Sequence, residues 1–119
     1  LLNLASEEYF KVLQAKPKPE KLKDGELFNP FYDLYKKGIG TLAWNDSWNL
    51  FDQIFVSPEL YKRDFSSFRI YGAKVFNKPY LMQSEGAFKG YPLRTFVGGN
   101  YYGGYSDHFP VYMVLVKEK

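Results

Sequence analysis

The sequence predicts an α+β fold with a mainly antiparallel sheet and with helices near the N-terminus. Helix signals lie within residues 1–38, and the alternation of apolar and polar residues that is typical of strands begins after Gly40. A chain of 119 residues forms one domain with a modest core. Helices early and strands late favour a sheet that is covered by helix on one side.

The first helix is predicted at the N-terminus. Helical spacing places the following residues on one face: Leu2, Ala5, Tyr9 and Val12 or Leu13. Because Pro17 and Pro19 cannot continue this pattern, we expect the helix to end at Ala15 and an extended linker to follow through Glu26. No capping residue precedes Leu1, so we expect this helix to be cut from a longer chain.

A second, short helix is predicted from the residues at its ends. Asn29 suits the N-cap, Pro30 suits the first helical position, and Gly38 marks the end. Its predicted buried stripe consists of Phe31, Leu34 and Tyr35.

Two strands are predicted in the middle of the chain. Residues 40–44 form a short strand, and a turn at residues 45–47 leads into a longer strand over residues 48–57. Residues 50, 52, 54 and 56 of the longer strand share one face, on which an aspartate, Asp52, interrupts apolar neighbours.

Two further strands are predicted in the second half. Residues 68–77 form a strand in which Gly72 suggests a bulge, and residues 78–93 are irregular or short-helical. Residues 109–116 are apolar on both faces, which predicts an inner position in a covered sheet.

Composition excludes several classes of function. The chain is 45% hydrophobic and 24% charged, as in globular domains, and its net charge of +3 is too small to indicate a nucleic-acid-binding stripe. The absence of cysteine excludes disulfides, thiolate zinc sites and a cysteine nucleophile. No apolar run approaches the length of a membrane span, and the sequence does not indicate a cellular location.

Two polar residues stand out because they interrupt apolar strands. Asp52 lies between Leu50 and Ile54, and the single histidine, His108, precedes Phe109 where the last strand begins. An unpaired carboxylate is costly on such a face, and an aspartate that accepts from an imidazole N–H fixes the tautomer of the ring. We therefore expect Asp52 and His108 to form a hydrogen bond. The alternatives are that Asp52 caps a turn or pairs with a lysine, and that His108 is purely structural.

The residues around His108 offer further chemistry. Asp107 projects differently from His108 and is a candidate to bind a metal ion or to hold an attacking water. Ser106 is interpreted as a turn residue, because no nucleophile-elbow glycine pattern surrounds it. Residues 98–105, GGNYYGGY, are interpreted as the wall of a site or else as a plain flexible loop. Arg94 either binds a phosphate through two N–H groups or forms an ordinary surface ion pair.

Two motifs carry a resemblance to a known family. The segment WNLFDQIFVS, residues 48–57, resembles a strand of the form (W)-x-x-I-D-x-I-x-x-S, and SDHFPV, residues 106–111, resembles a terminal Ser-Asp-His-x-Pro-Val. Both motifs belong to the endonuclease/exonuclease/phosphatase superfamily, the metal-dependent phosphoesterases related to DNase I. Residues 91–112 are similar to a bacterial subgroup that is often found in gut Bacteroidetes.

The resemblance implies a role for each residue. His108 would be the catalytic histidine that contacts the scissile phosphate and assists attack by water, and Asp52 would orient it. Asp107 would position the nucleophile or a divalent metal ion, Mg²⁺ or Mn²⁺, and Arg94 would bind the substrate more weakly. The substrate is expected to be a phosphate ester of unknown class.

The resemblance also implies an incomplete domain. The family's metal-binding glutamate, first histidine and Gly-Asp-Phe-Asn loop do not occur here, and Leu50 stands where an arginine is frequent. Its fold is a four-layer α/β sandwich of two similar halves, and residues 1–119 correspond to the C-terminal half of the domain. We therefore expect that the N-terminal half of the same chain is missing, and that this fragment alone binds no metal and is inactive.

Two other functions remain open from the sequence. One is an aromatic-rich binding module for glycans or another ligand, in which Tyr101, Tyr102 and Tyr105 are exposed on a concave surface and no Asp–His contact exists. The other is a purely structural domain.

Overall fold

A computed structural model describes residues 11–13 and 18–119. In chain order the elements are β1 (Lys11–Leu13), β2 (Glu26–Phe28), α1 (Tyr32–Lys36), β3 (Leu42–Trp44), β4 (Ser47–Asn49), α2 (Pro58–Tyr61), β5 (Arg69–Val75), β6 (Phe96–Val97), β7 (Asn100–Tyr101) and β8 (Val111–Val116). Single 3₁₀ turns lie at Pro19–Lys21 and Pro79–Leu81.

The described strands pair in four two-stranded sheets. The β1–β2 pair is parallel, and β3–β4, β5–β8 and β6–β7 are antiparallel. Small antiparallel sheets with few, short helices agree with the predicted α+β class, and the four-layer sandwich stays a prediction. Within the described ranges, no helix has both the length and the apolar character needed to cross a membrane.

The predicted N-terminal helix is wrong where the structure describes it. Residues 11–13 form β1, which pairs residue by residue with β2 over residues 26–28. A short apolar run fits either a helix or a strand, and here the hydrogen bonds offered by β2 decide between them. The rest of this predicted helix lies outside the described residues.

The second helix is confirmed in its position and in its end at Gly38, but it begins later than predicted. Phe31 occupies the N-cap in place of Asn29, and Tyr32 rather than Pro30 is the first helical residue. The Asn29 side-chain oxygen accepts the Phe31 N–H at 3.0 Å, and Gly38 adopts a left-handed φ of 76° just beyond α1. Phe31 is fully buried and Leu34 half-buried, whereas Tyr35 is exposed, contrary to the prediction. The five-residue helix has no fully buried residue of its own, and the buried Phe31 is the residue that precedes it.

The long strand predicted over residues 48–57 is interrupted. β4 ends before Leu50, whose carbonyl accepts the Gln53 side-chain N–H at 2.6 Å, and Gln53 in turn accepts from the Asn29 amide at 2.7 Å. Side-chain bonds therefore replace a strand ladder here. Pairing resumes at Val56, which exchanges two backbone hydrogen bonds with Phe28 at 2.8 and 2.9 Å.

Among the residues that the structure describes, the buried apolar core is small. Its members are Phe28, Phe31, Ala43, Leu50, Val56 and Phe109. They come from β2, the residue before α1, β3, the segment after β4 and the segment before β8. The core therefore anchors Leu50, two residues before Asp52, and Phe109, directly after His108.

The β5–β8 pair confirms two predicted strands and corrects one expectation. A register shift between Ile70 and Gly72 gives the bulge that Gly72 suggested. In the described part of the chain, however, β8 pairs with β5 alone, and its Tyr112 and Leu115 are 37% and 41% exposed. The described residues therefore do not place β8 in the inner, covered position predicted for it. The prediction failed because apolar side chains on both faces of a strand do not fix the number of its neighbouring strands.

Candidate functional site

A buried threonine joins the two segments that carry the predicted site residues. Thr41, at 0% exposure, donates its N–H to the Asn49 carbonyl at 2.9 Å and accepts the Phe109 N–H on its own carbonyl at 2.7 Å. Its hydroxyl accepts the Phe51 N–H at 3.3 Å. Because Phe51 and Phe109 directly adjoin Asp52 and His108 in sequence, Thr41 sets the spacing between those two residues.

The predicted contact between Asp52 and His108 is present. His108 Nδ1 lies 2.6 Å from Asp52 Oδ2, and the two side chains are 33% and 39% exposed. An ionised carboxylate only accepts hydrogen bonds, so Nδ1 carries the hydrogen and Nε2 is the basic nitrogen of the neutral ring. No protein group in the described ranges hydrogen-bonds to Nε2. The His108 backbone N–H donates to the Ser106 hydroxyl at 3.1 Å, in keeping with a turn role for Ser106.

An aromatic stack fixes the chain on the other side of His108. The buried Phe109 ring stacks on Trp48, with ring centroids 6.0 Å apart and planes inclined by 14°. Trp48 in turn makes an edge-to-face contact with Tyr91, with ring centroids 5.7 Å apart. The backbone that presents His108 is therefore held by a ring contact as well as by Thr41.

Asp107 and Arg94 both lie at a cavity and not at the Asp52–His108 pair. Both line a cavity of about 400 Å³ whose lining does not include Asp52 or His108. Among residues 18–119 no carboxylate lies within 4.0 Å of the Arg94 guanidinium, so the surface ion pair considered for Arg94 is not observed there.

A close backbone approach holds Arg94 against the loop of residues 98–105. The Gly104 N–H donates to the Arg94 carbonyl at 3.2 Å, and the Thr95 hydroxyl donates to the Gly104 carbonyl at 2.8 Å. A side chain at position 104 would place its Cβ 1.7 Å from the Leu93 carbonyl oxygen. This packing supports the interpretation of the loop as a wall of the cavity.

One contact at the cavity, between Asp46 and Tyr91, could not be predicted from the sequence. Asp46 lies in the predicted turn, where Asn45 and Asp46 adopt left-handed φ values of 46° and 60°. Its N–H donates to the Tyr91 hydroxyl at 2.7 Å, and that hydroxyl donates to Asp46 Oδ1 at 2.6 Å. The hydrogen bond to the Asp46 carboxylate raises the pKa of the Tyr91 hydroxyl above its usual value. Asp46 and Tyr91 are 45 positions apart, so nothing local indicates the pair.

The described residues do not form a metal-binding cluster. Among them, no group of three or more His, Asp or Glu side chains is placed to hold a metal ion. Proteins usually hold Mg²⁺ through one or two carboxylates together with substrate phosphates and water. Asp107 is the single carboxylate in the cavity lining, so a divalent ion there would find one protein carboxylate and not a complete set of ligands.

The tyrosines of the loop test the alternative of a binding module. Tyr101, Tyr102 and Tyr105 are all exposed, as that alternative predicts, but among them only Tyr102 lines the cavity. The alternative also requires that Asp52 and His108 make no contact, and the 2.6 Å separation contradicts it.

Replacing Thr41 with valine tests its place between the two segments. Valine keeps the shape but removes the acceptor of the Phe51 N–H, so we expect the free energy of unfolding to fall by about 1 kcal/mol in urea denaturation. We also expect the NMR resonance of the His108 Nδ1–H to weaken. Thr41→Ser, which retains the hydroxyl, should keep that resonance. A valine variant with unchanged stability and an unchanged Nδ1–H resonance would contradict this account.

Comparisons with known proteins identify one family. A family model described as "Endonuclease/Exonuclease/phosphatase family" matches residues 3–117. Neither the curated proteins nor the solved structures gave a match.

Proposed function

Because the chain belongs to the endonuclease/exonuclease/phosphatase family, we propose that it carries the Asp–His part of the active site of a divalent-metal-dependent phosphoesterase. Members of this family are typically hydrolases that act on phosphate esters. The observation that carries the proposal is the hydrogen bond between His108 Nδ1 and Asp52 Oδ2 at 2.6 Å. We further propose that residues 1–119 form the C-terminal portion of a DNase I-like domain of a bacterial subgroup.

In this proposal His108 contacts the scissile phosphate and assists the attacking water through Nε2. Asp52 holds the ring in the required tautomer and orientation and stabilises the ring when it is protonated. Both side chains are partly exposed, so solvent and substrate have access to the pair.

Asp107 and Arg94 are proposed to act from the neighbouring cavity. Asp107 positions the attacking water or contributes one ligand to Mg²⁺ or Mn²⁺, and a bound divalent ion would neutralise charge on the phosphate oxygens. Arg94, whose guanidinium has no carboxylate partner within the described ranges, binds a phosphate oxygen.

Metal removal tests the proposed reaction. In the natural full-length protein we expect Mg²⁺-dependent hydrolysis of bis(p-nitrophenyl) phosphate or p-nitrophenyl phosphate. The rate should fall by about 100-fold or more in EDTA and recover when Mg²⁺ is restored, because a metal ion contributes several kcal/mol to stabilising the transition state. Release of p-nitrophenolate provides the measurement. Hydrolysis that is insensitive to EDTA, or hydrolysis of neither ester, would contradict the proposal.

A further inference from the structure

The cavity that Asp107 lines has aromatic walls and two charged lining residues. Its volume is about 400 Å³, within the range of small-molecule sites. The rings and charged groups that line it are Trp44, Phe88, Tyr91, Tyr102, Arg94 and Asp107. Flat apolar surfaces, one guanidinium and one carboxylate therefore line the same space.

One ring of the cavity, that of Tyr91, is fixed before any ligand binds. Tyr91 exchanges two hydrogen bonds with Asp46 and packs against Phe88 at 5.4 Å and Trp48 at 5.7 Å between ring centroids. Trp48 also stacks on Phe109, next to His108. A ligand would thus meet a preorganised surface that is continuous with the support of His108, and preorganisation lowers the entropic cost of binding.

The other rings are exposed to solvent. Trp44, Phe88 and Tyr102 are 67%, 56% and 57% exposed although each lines the cavity. Exposed rings around one cavity favour a ligand with a flat face, because stacking buries apolar area on both partners. The amide side chains of Asn45 and Gln83 also line it and can bond to the edge of a heteroaromatic ring.

From this arrangement we infer that the cavity binds the planar base of a nucleotide-type phosphate ester and that Arg94 binds its phosphate. The inference rests on the proposed phosphoesterase function and specifies its substrate class. A sugar or inositol phosphate, whose ring carries hydroxyl groups, would bury less apolar area against Trp44, Phe88 and Tyr102 than a planar base would.

A matched pair of ligands tests the ring site by calorimetric titration. The probes are adenosine 5′-monophosphate and ribose 5-phosphate, which differ only in the base, and the His108→Ala background prevents turnover. We expect adenosine monophosphate to bind about tenfold more tightly or better, and to shift the NMR signal of the Trp44 indole N–H where ribose 5-phosphate does not. Equal affinities for the two ligands would overturn the inference.

Matched variants locate the ring. Phe88→Ala and Tyr102→Ala should each weaken binding of adenosine monophosphate by about tenfold and leave ribose 5-phosphate unaffected. The control is Phe68→Ala, since Phe68 is 55% exposed, like Phe88, but does not line the cavity. Equal weakening by Phe68→Ala, or none by Phe88→Ala and Tyr102→Ala, would overturn the site.

The two proposals fail separately. Base-dependent binding without any metal-dependent hydrolysis would retain the ring site and reject the phosphoesterase. Metal-dependent hydrolysis with no preference for the base would retain the phosphoesterase and reject the ring site.

Discussion

Replacing His108 with alanine is expected to lower metal-dependent phosphodiester hydrolysis by the natural full-length protein about 10²–10⁴-fold, the range that a positioned acid or base contributes. The side chain is partly exposed, and its anchor Phe109 stays in place. We therefore expect the fold to survive, with a melting temperature close to that of the unaltered protein. The measurement is kcat and KM for bis(p-nitrophenyl) phosphate.

The companion change, Asp52→Asn, separates the orienting role from the chemical one. An amide keeps the size of the side chain but not the negative charge opposite Nδ1, so we expect a smaller loss that falls mainly on kcat. The chain has one histidine, so its ring signals are unambiguous in NMR. The Nδ1–H resonance should be visible in the unaltered protein and lost or shifted in Asp52→Asn. If Asp52 only stabilised the fold through other contacts, its replacement would not change this resonance.

Asp64→Asn provides the matched control. Asp64 is an exposed aspartate whose carboxylate accepts the Ser66 N–H at 3.0 Å, and it does not contact the cavity or His108. This change should leave both the rate and the His108 signals unaltered. Undiminished hydrolysis in His108→Ala would reject the assignment of His108, and equal losses in Asp52→Asn and Asp64→Asn would reject that of Asp52.

The Asp52–His108 contact was predictable because each residue violates the pattern of its own segment. A carboxylate between Leu50 and Ile54 and a lone imidazole before Phe109 both need a partner, and the cost of leaving either unpaired points to the other. The β5 and β8 strands were predictable for a similar reason, since their apolar patterns are local.

The contacts that the sequence did not reveal are long-range and use common residue types. In the sequence Thr41 looks like an ordinary strand residue. In the structure its hydroxyl accepts the Phe51 N–H and its carbonyl accepts the Phe109 N–H. Asp46 reads as a turn residue and Tyr91 as one aromatic residue among many. Residues 11–13 were assigned to a helix because a short apolar run does not show which partner will satisfy its backbone. The sequence pattern therefore predicts secondary-structure elements and the polar residues that interrupt them, whereas long-range hydrogen bonds determine how the site residues are positioned.

The second large effect is expected at Gly104, where alanine should lower the free energy of unfolding by about 3 kcal/mol or more. The added Cβ would lie 1.7 Å from the Leu93 carbonyl oxygen and 2.7 Å from that of Arg94, and both obstacles are backbone. Overpacking costs about 1–3 kcal/mol where side chains can shift, and here the chain itself must move. Urea denaturation provides the measurement.

Because the Gly104 N–H bonds to the Arg94 carbonyl, movement of this backbone would also displace Arg94 from its place in the cavity lining. We therefore expect Gly104→Ala to weaken binding of both adenosine monophosphate and ribose 5-phosphate, in contrast to Phe88→Ala, which affects only the ligand with a base. Gly72→Ala is the control, because a Cβ there meets nothing within 4 Å. That variant should remain within about 1 kcal/mol of the unaltered protein. If Gly104→Ala were as stable as Gly72→Ala, the close approach of residue 104 to Leu93 would not exist in solution, and the loop would not form the cavity wall.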